Sequence, residues 1–195
     1  MKKISVRSLT VTALFGAVGF VLMMLEFGLP IIPSFIKFDL SELPALLAAF
    51  AYGPWHGVLV CFIKNALHLF VTNTAGVGEM ANFLMGVFLV VPAGWIYHRR
   101  KGRRAALLGS LAGSLTMGVA CVAINYFITY PIYYKIMIPE SVILQAYQAI
   151  LPAVDSILES LLIFNLPFTA AKGMIVSVFC FLIYKKLSPI LKDKS

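Results

Sequence analysis

Charge is scarce in this chain, and negative charge is scarcest. Only 12% of its 195 residues are Asp, Glu, Lys or Arg, and only eight are acids. A soluble domain carries about 25% charged residues, so a water-facing globular surface is excluded. Cysteine is scarce too. Cys61, Cys121 and Cys180 all lie inside apolar stretches, and no C-x-x-C or Cys/His spacing points to zinc or a disulfide framework. The phosphate-cradling G-x-x-x-x-G-K-[ST] is missing, so this chain has no ATPase site of that type. G-x-S-x-G and H-E-x-x-H are missing as well, and no internal repeat or low-complexity segment appears. The net charge of +8 does not point to nucleic acid, because the positive groups flank apolar runs rather than line a polar face.

What is abundant is hydrophobic length. A membrane helix needs roughly 20 apolar residues, and the composition is 61% hydrophobic. Spans are expected at about 8–26, 79–97, 105–130 and 166–185. The first follows Lys2, Lys3 and Arg7 like a signal peptide, but its uncharged run is long and no A-x-A site follows, so it reads as a retained span. The uncharged stretch 43–63 is cut by Gly53-Pro54, a turn signal. Splitting there gives two spans, about 41–52 and 55–72, with Ser41 able to cap the first and Pro44 in its opening turn.

The basic clusters decide the count. Lys2, Lys3 and Arg7, the run His98–Arg104, and Lys185, Lys186, Lys192 and Lys194 hold 12 of the 16 Lys and Arg. Six spans put all three clusters on one side, and five do not. The positive-inside rule therefore favours an all-α membrane protein of one domain and six spans, with both termini cytoplasmic. Seven of the eight acids then fall at or near the outward side.

This topology places a set of polar residues at a common outward depth. Glu79 and Asn82, three apart on one helix face, open the fourth span. Asn125 sits below the outer end of the fifth, and Asn165 and Lys172 lie in the outer part of the sixth, with Pro167 suited to its first turn. Lys64, Asn65 and His68 occupy the third. Each has a structural alternative: Asn125 as interhelical glue, Lys64 snorkelling or pairing with Glu79, His68 as a packed polar residue. An ammonium in a span, such as Lys172, faces a cavity or a partner. Two amides, a cation and a carboxylate, with Tyr126, Phe127, Tyr130, Phe164 and Phe168 nearby, suit a flat, polar-edged heterocycle with a hydroxylated tail. They suit phosphate poorly. No metal or resident cofactor is called for.

Several segments together resemble a known family. Lys37-Phe38-Asp39-Leu40-Ser41-Glu42-Leu43-Pro44 followed by Tyr52-Gly53-Pro54 looks like the first loop and short second helix of an S component of the energy-coupling factor (ECF) vitamin transporters. Lys64-Asn65-Ala66-Leu67-His68, Gly76 to Phe83, Asn125-Tyr126-Phe127 with Tyr130-Pro131, and Phe164 to Gly173 are similar to the riboflavin-specific members. The resemblance implies a six-helix bundle of the bacterial cytoplasmic membrane that binds riboflavin from outside as its transported substrate. It implies that Asn125, Asn165 and Lys172 contact the isoalloxazine ring, that Glu79 lies toward the ribityl side, and that Asn82, Lys64 and Asn65 belong to the same binding set. The loop 26–41 would cover the pocket as a lid. The partners implied are a membrane coupling subunit and two cytoplasmic ATPases. The family's A-x-x-x-A contact motif matches Ala13-Leu14-Phe15-Gly16-Ala17.

Two other classes compete. An intramembrane hydrolase or transferase needs a nucleophile with a base or a carboxylate cluster. Asp155 and Glu159 share a helix face but read as a solvated one. A stand-alone carrier, or an S component for a related flavin or another vitamin, fits the same spans.

Overall fold

The computed structural model describes residues 6–191, with side chains through residue 183. Of the basic clusters, Lys2, Lys3, Lys192 and Lys194 lie outside those residues, as do the side chains of Lys185 and Lys186. The order of elements is α1 (Val6–Met24), β1 (Phe27–Gly28), β2 (Lys37–Phe38), α2 (Glu42–Tyr52), α3 (Pro54–His68), α4 (Val77–Arg100), α5 (Arg103–Ile124), α6 (Tyr130–Ile136), α7 (Glu140–Gln148), α8 (Ile157–Ser160) and α9 (Leu166–Leu191). A π-helical turn, Asn125–Thr129, joins α5 to α6, and another, Leu161–Asn165, joins α8 to α9. Among the described residues five continuous helices are long and apolar enough to cross a membrane: Val6–Met24, Pro54–Val71, Val77–Arg100, Arg103–Ile136 and Ile157–Ile183.

Small residues set the packing. A Cβ on Gly57 would meet Ala49 of α2 and Val90 of α4, one on Gly86 would meet Cys61, and one on Gly94 would meet Pro54. Gly109 lies against Ala93, Gly118 against Ala170 and Gly173 against Ser114. Close approach through such residues is how helices associate where lipid removes the hydrophobic drive. The pairs run in opposite order along α3 and α4, α4 and α5, and α5 and α9, so these neighbours are antiparallel. One end of the bundle therefore carries residues 25–41, 69–76 and 137–156. The other carries Gly53 and the Lys101–Gly102 link.

Helix α2 is the exception in length. Its 11 residues reach about 16 Å, well short of a hydrocarbon core of about 30 Å. Glu42 to Phe50 are all buried. Leu43, Leu46, Leu47 and Phe50 pack on Ala93, Ala106, Val176 and Cys180, while Ala45, Ala48 and Ala49 face Val60, Cys61, Leu89 and Val90. The turn after it needs φ +113° at Gly53, a conformation glycine adopts without a Cβ penalty. Pro54 then starts α3 where no backbone donor is required.

At its other end α2 begins on a buried ion pair rather than a serine cap. Ser41 has helical φ and ψ, and its side chain makes no capping bond. Its hydroxyl instead accepts from Lys64 Nζ, and Lys64 Nζ lies 2.7 Å from Glu42 Oε1 with both side chains fully buried. The alternative pairing of Lys64 with Glu79 is thus corrected, because Glu42 is the carboxylate at its depth. Lys64 is ten residues beyond Pro54, about 15 Å up α3. Helix α2 therefore fills only the half of the bundle nearest Gly53 and leaves the other half to the 25–41 segment.

The later helices also depart from expectation. The fifth runs on to Ile136, and the sixth begins at Ile157, so Pro167 lies well inside it rather than in its first turn. An internal proline removes one helical hydrogen bond and crowds the carbonyl four residues earlier. Those carbonyls belong to Phe127 (for Pro131) and Ile163 (for Pro167), both inside the π turns. There the bonds widen: the Tyr130 N–H reaches Asn125 O, and the Leu166 N–H reaches Leu161 O. Such turns often mark functional sites. They begin or end on Asn125 and Asn165.

Breaking one partner of a buried pair typically costs about 3–5 kcal/mol. Glu42→Gln is expected to destabilise the protein by about that much, read as a lower thermal midpoint and a loss of monodisperse protein in detergent.

Candidate substrate-binding site

The vacated half of the bundle holds a cavity of about 450 Å³, within the range of small-molecule sites. Its walls bring together Glu79 and Asn82 from α4, Asn125 from the first π turn, Asn165 from the second and Lys172 from α9. Phe35, Ile36, Lys37 and Asp39 of the 25–41 segment cover it. That segment is fixed by a two-residue antiparallel ladder pairing Phe27 with Phe38 and Gly28 with Lys37. Irregular backbone within the bundle is tolerated when it is buried in protein or lines a cavity.

Lys64 and Asn65 are not in the cavity wall, and this corrects their place in the set. Lys64 is committed behind it to Ser41 and Glu42. Asn65 Nδ2 donates to Cys61 O at 2.8 Å and to Asn82 Oδ1 at 3.2 Å, so it holds Asn82 from behind.

Lys172 is buried and double-bridged. Its Nζ is 2.8 Å from Asp39 Oδ2 and 3.2 Å from Glu42 Oε2. Asp39 Oδ1 accepts from the Ser41 N–H at 2.7 Å. The Lys172 ammonium and the Ser41 N–H thus hold the Asp39 carboxylate from both of its oxygens. An ammonium has three donors. With two taken by carboxylates, one can serve the cavity.

Glu79 is set from two sides. His68 Nδ1 lies 2.8 Å from Oε1, and Thr74 Oγ1 donates to Oε2 at 2.8 Å. The amides are held as firmly: Asn125 Nδ2 donates to Cys121 O at 2.9 Å, and Asn165 Oδ1 accepts from the Tyr147 hydroxyl at 2.7 Å. Of the aromatics expected nearby, Tyr130 and Phe168 line the cavity. Phe164 packs instead on Tyr147. Tyr126 and Phe127 turn outward, 40% and 73% exposed, into an apolar groove with Val119 and Leu162. Phe35, Tyr133, Asp39, Thr74 and Tyr147 complete the surroundings and were not among the candidate ligand residues. The one sequence signal for Asp39 and Glu42 is charge balance: two lysines deep in spans require carboxylates at their depth. Among the described residues no group of three His, Cys, Asp or Glu side chains is placed to hold a metal ion.

The chain matches the family described as ECF transporter, substrate-specific component, over residues 7–184. It is 28% identical to riboflavin transporter RibU of Staphylococcus aureus, over 95% of this chain and 92% of that protein. It is 29% identical to riboflavin transporter FmnP of Bacillus subtilis, over 97% and 96%, and 31% identical to RibU of Streptococcus thermophilus, over 95% and 84%. A solved S component of a bacterial ECF transporter superposes with a TM-score of 0.75 at 27% identity, covering 96% of this chain and 98% of that one. The short second helix and the cavity above it therefore stand in a chain whose family is settled along nearly its whole length: it is a multi-pass membrane protein that belongs to the substrate-specific components of ECF transporters.

Proposed function

We propose that this chain is the riboflavin-binding subunit of an ECF importer of the bacterial cytoplasmic membrane. One observation carries the reading. A single cavity gathers Glu79, Asn82, Asn125, Asn165 and Lys172 in a chain whose relatives over nearly their full length are riboflavin transporters. The amides and Lys172 serve the carbonyl and imide edge of the isoalloxazine ring. Glu79, with His68 and Thr74 behind it, accepts from ribityl hydroxyls. Tyr130, Phe168 and Phe35 supply apolar and aromatic wall, and the 25–41 segment acts as the lid. Lys64 and Asn65 act from behind, through Ser41, Glu42 and Asn82.

Six passages, counting α2 with the segment before it, put both termini and the His98–Arg104 run on the cytoplasmic side and the cavity mouth outside. A membrane coupling subunit with two ATPases then supplies the energy, and α1 is its contact. In support, Thr12, Gly16 and Gly19 turn inward, with Gly16 and Gly19 on α3, whereas Ala13 and Ala17 are exposed. The small pair is thus left for another helix.

The purified protein is expected to carry a yellow chromophore and to quench riboflavin fluorescence on binding. A colourless protein without flavin affinity would sink the proposal. Asn125→Ala is expected to weaken binding about tenfold or more, the scale of one lost buried hydrogen bond with an unsatisfied partner. Ala17→Trp should leave flavin affinity unchanged but abolish co-purification with the coupling subunit.

A further inference from the structure

What an asparagine offers a ligand depends on which end of its amide is already engaged. In Asn125 the nitrogen is taken: Nδ2 donates to Cys121 O at 2.9 Å and lies 3.1 Å from Cys121 Sγ. Its Oδ1 has no partner among the described residues. Asn165 is the reverse. Its Oδ1 accepts from the Tyr147 hydroxyl, and the amide also meets the Tyr130 hydroxyl; of the two hydrogens on Nδ2, one is left for the cavity. Both side chains line the same cavity, so one presents an acceptor and the other a donor.

The sense of the Asn165 amide follows from the hydroxyls behind it. Tyr147 Oη is 2.6 Å from Tyr130 Oη. If Tyr130 donates to Tyr147 and Tyr147 to Asn165, both hydroxyl hydrogens are used. In the opposite order the 2.7 Å contact between Tyr147 Oη and Asn165 Oδ1 would hold no hydrogen, and leaving a buried hydrogen bond unmade is costly. Burial also holds the Tyr147 phenol far above its usual range, so the hydroxyl keeps its proton. Tyr147 itself is fully buried, outside the cavity wall, with its ring edge-on to Phe35 at 5.7 Å and tilted on Phe164 at 5.4 Å. It reaches a ligand through the Asn165 amide and, by packing, through Tyr130 and Phe35 of the wall.

We infer that Tyr147 is a positioning residue that fixes Asn165 as a donor, so that the Asn125 acceptor and the Asn165 donor together read an N–H and a neighbouring C=O on one edge of the bound heterocycle. This rests on the riboflavin reading above, whose ring supplies such an imide edge.

The test is riboflavin titration of the purified full-length protein by fluorescence quenching. Tyr147→Phe keeps the ring and removes only the hydroxyl. It should weaken binding about tenfold and shift the carbonyl stretching bands of the bound flavin. The same substitution should change affinity by less than about twofold in an Asn165→Ala background, yet keep its about tenfold effect in an Asn125→Ala background. A Tyr147→Phe protein within about twofold of wild type overturns the inference, as does an undiminished loss on top of Asn165→Ala, which marks a packing role. Should Tyr147→Phe not fold, Tyr130→Phe carries the same cycle: a loss that vanishes with Asn165→Ala supports the relay, and an additive loss overturns it. A wild-type protein that binds no flavin instead defeats the riboflavin reading, whereas wild-type binding with an indifferent Tyr147→Phe defeats only this inference.

Discussion

Four charges buried at mid-depth hold this structure in register. Lys64 pairs with Glu42, and Lys172 pairs with both Asp39 and Glu42. Two ammoniums and two carboxylates cancel, which is the condition for carrying them inside a membrane protein. The four belong to α3, the start of α2, α9 and the segment before α2, so one cluster ties three helices and a loop at a single level. Removing a partner leaves a charge in a place where solvation by water is lost, and that is why the cluster is all-or-none. It also sets the chemistry above it. Lys172 enters the cavity wall already neutralised by carboxylates, as a hydrogen-bond donor more than as a free cation.

The cavity follows from a length mismatch. The long helices are of membrane length, but α2 stops at the charge cluster. The space above it cannot be closed by another helix without a longer α2. It is closed by irregular backbone instead, and this backbone brings Phe35 and Asp39 to the wall. The two π turns solve a second problem on the opposite wall. They relieve Pro131 and Pro167 inside long helices, and the widened turns carry Asn125 and Asn165 to the cavity.

Much of this was legible in the sequence. Gly53-Pro54 marked the end of α2 because glycine and proline act locally, through φ and a missing donor. The sidedness read from the basic clusters is what grouped Glu79, Asn125, Asn165 and Lys172 as a set, and the cavity does contain all four. What was not legible is what depends on distance along the chain. Lys172 and Asp39 are 133 residues apart, and nothing local says that Lys64 takes Glu42 rather than Glu79. Lys64 and Asn65 therefore stand one layer behind the cavity wall. Tyr147 went unnoticed because a tyrosine in a short amphipathic helix outside the spans looks like surface until tertiary packing buries it. Pro131 and Pro167 did carry a signal: a proline within an apolar run long enough to continue past it calls for a widened turn upstream.

The half of the bundle that α2 does occupy has a consequence of its own. Beneath the charge cluster, Leu46, Leu47, Phe50, Ala93 and Val176 are packed without a gap that the cavity enters. In shape the molecule is a stoppered cup, not a pipe. The cavity ends on a plug of alanine, leucine and phenylalanine anchored by a salt-bridged rim. A bundle built this way can hold a solute tightly without offering protons or ions a continuous wet route from one face to the other.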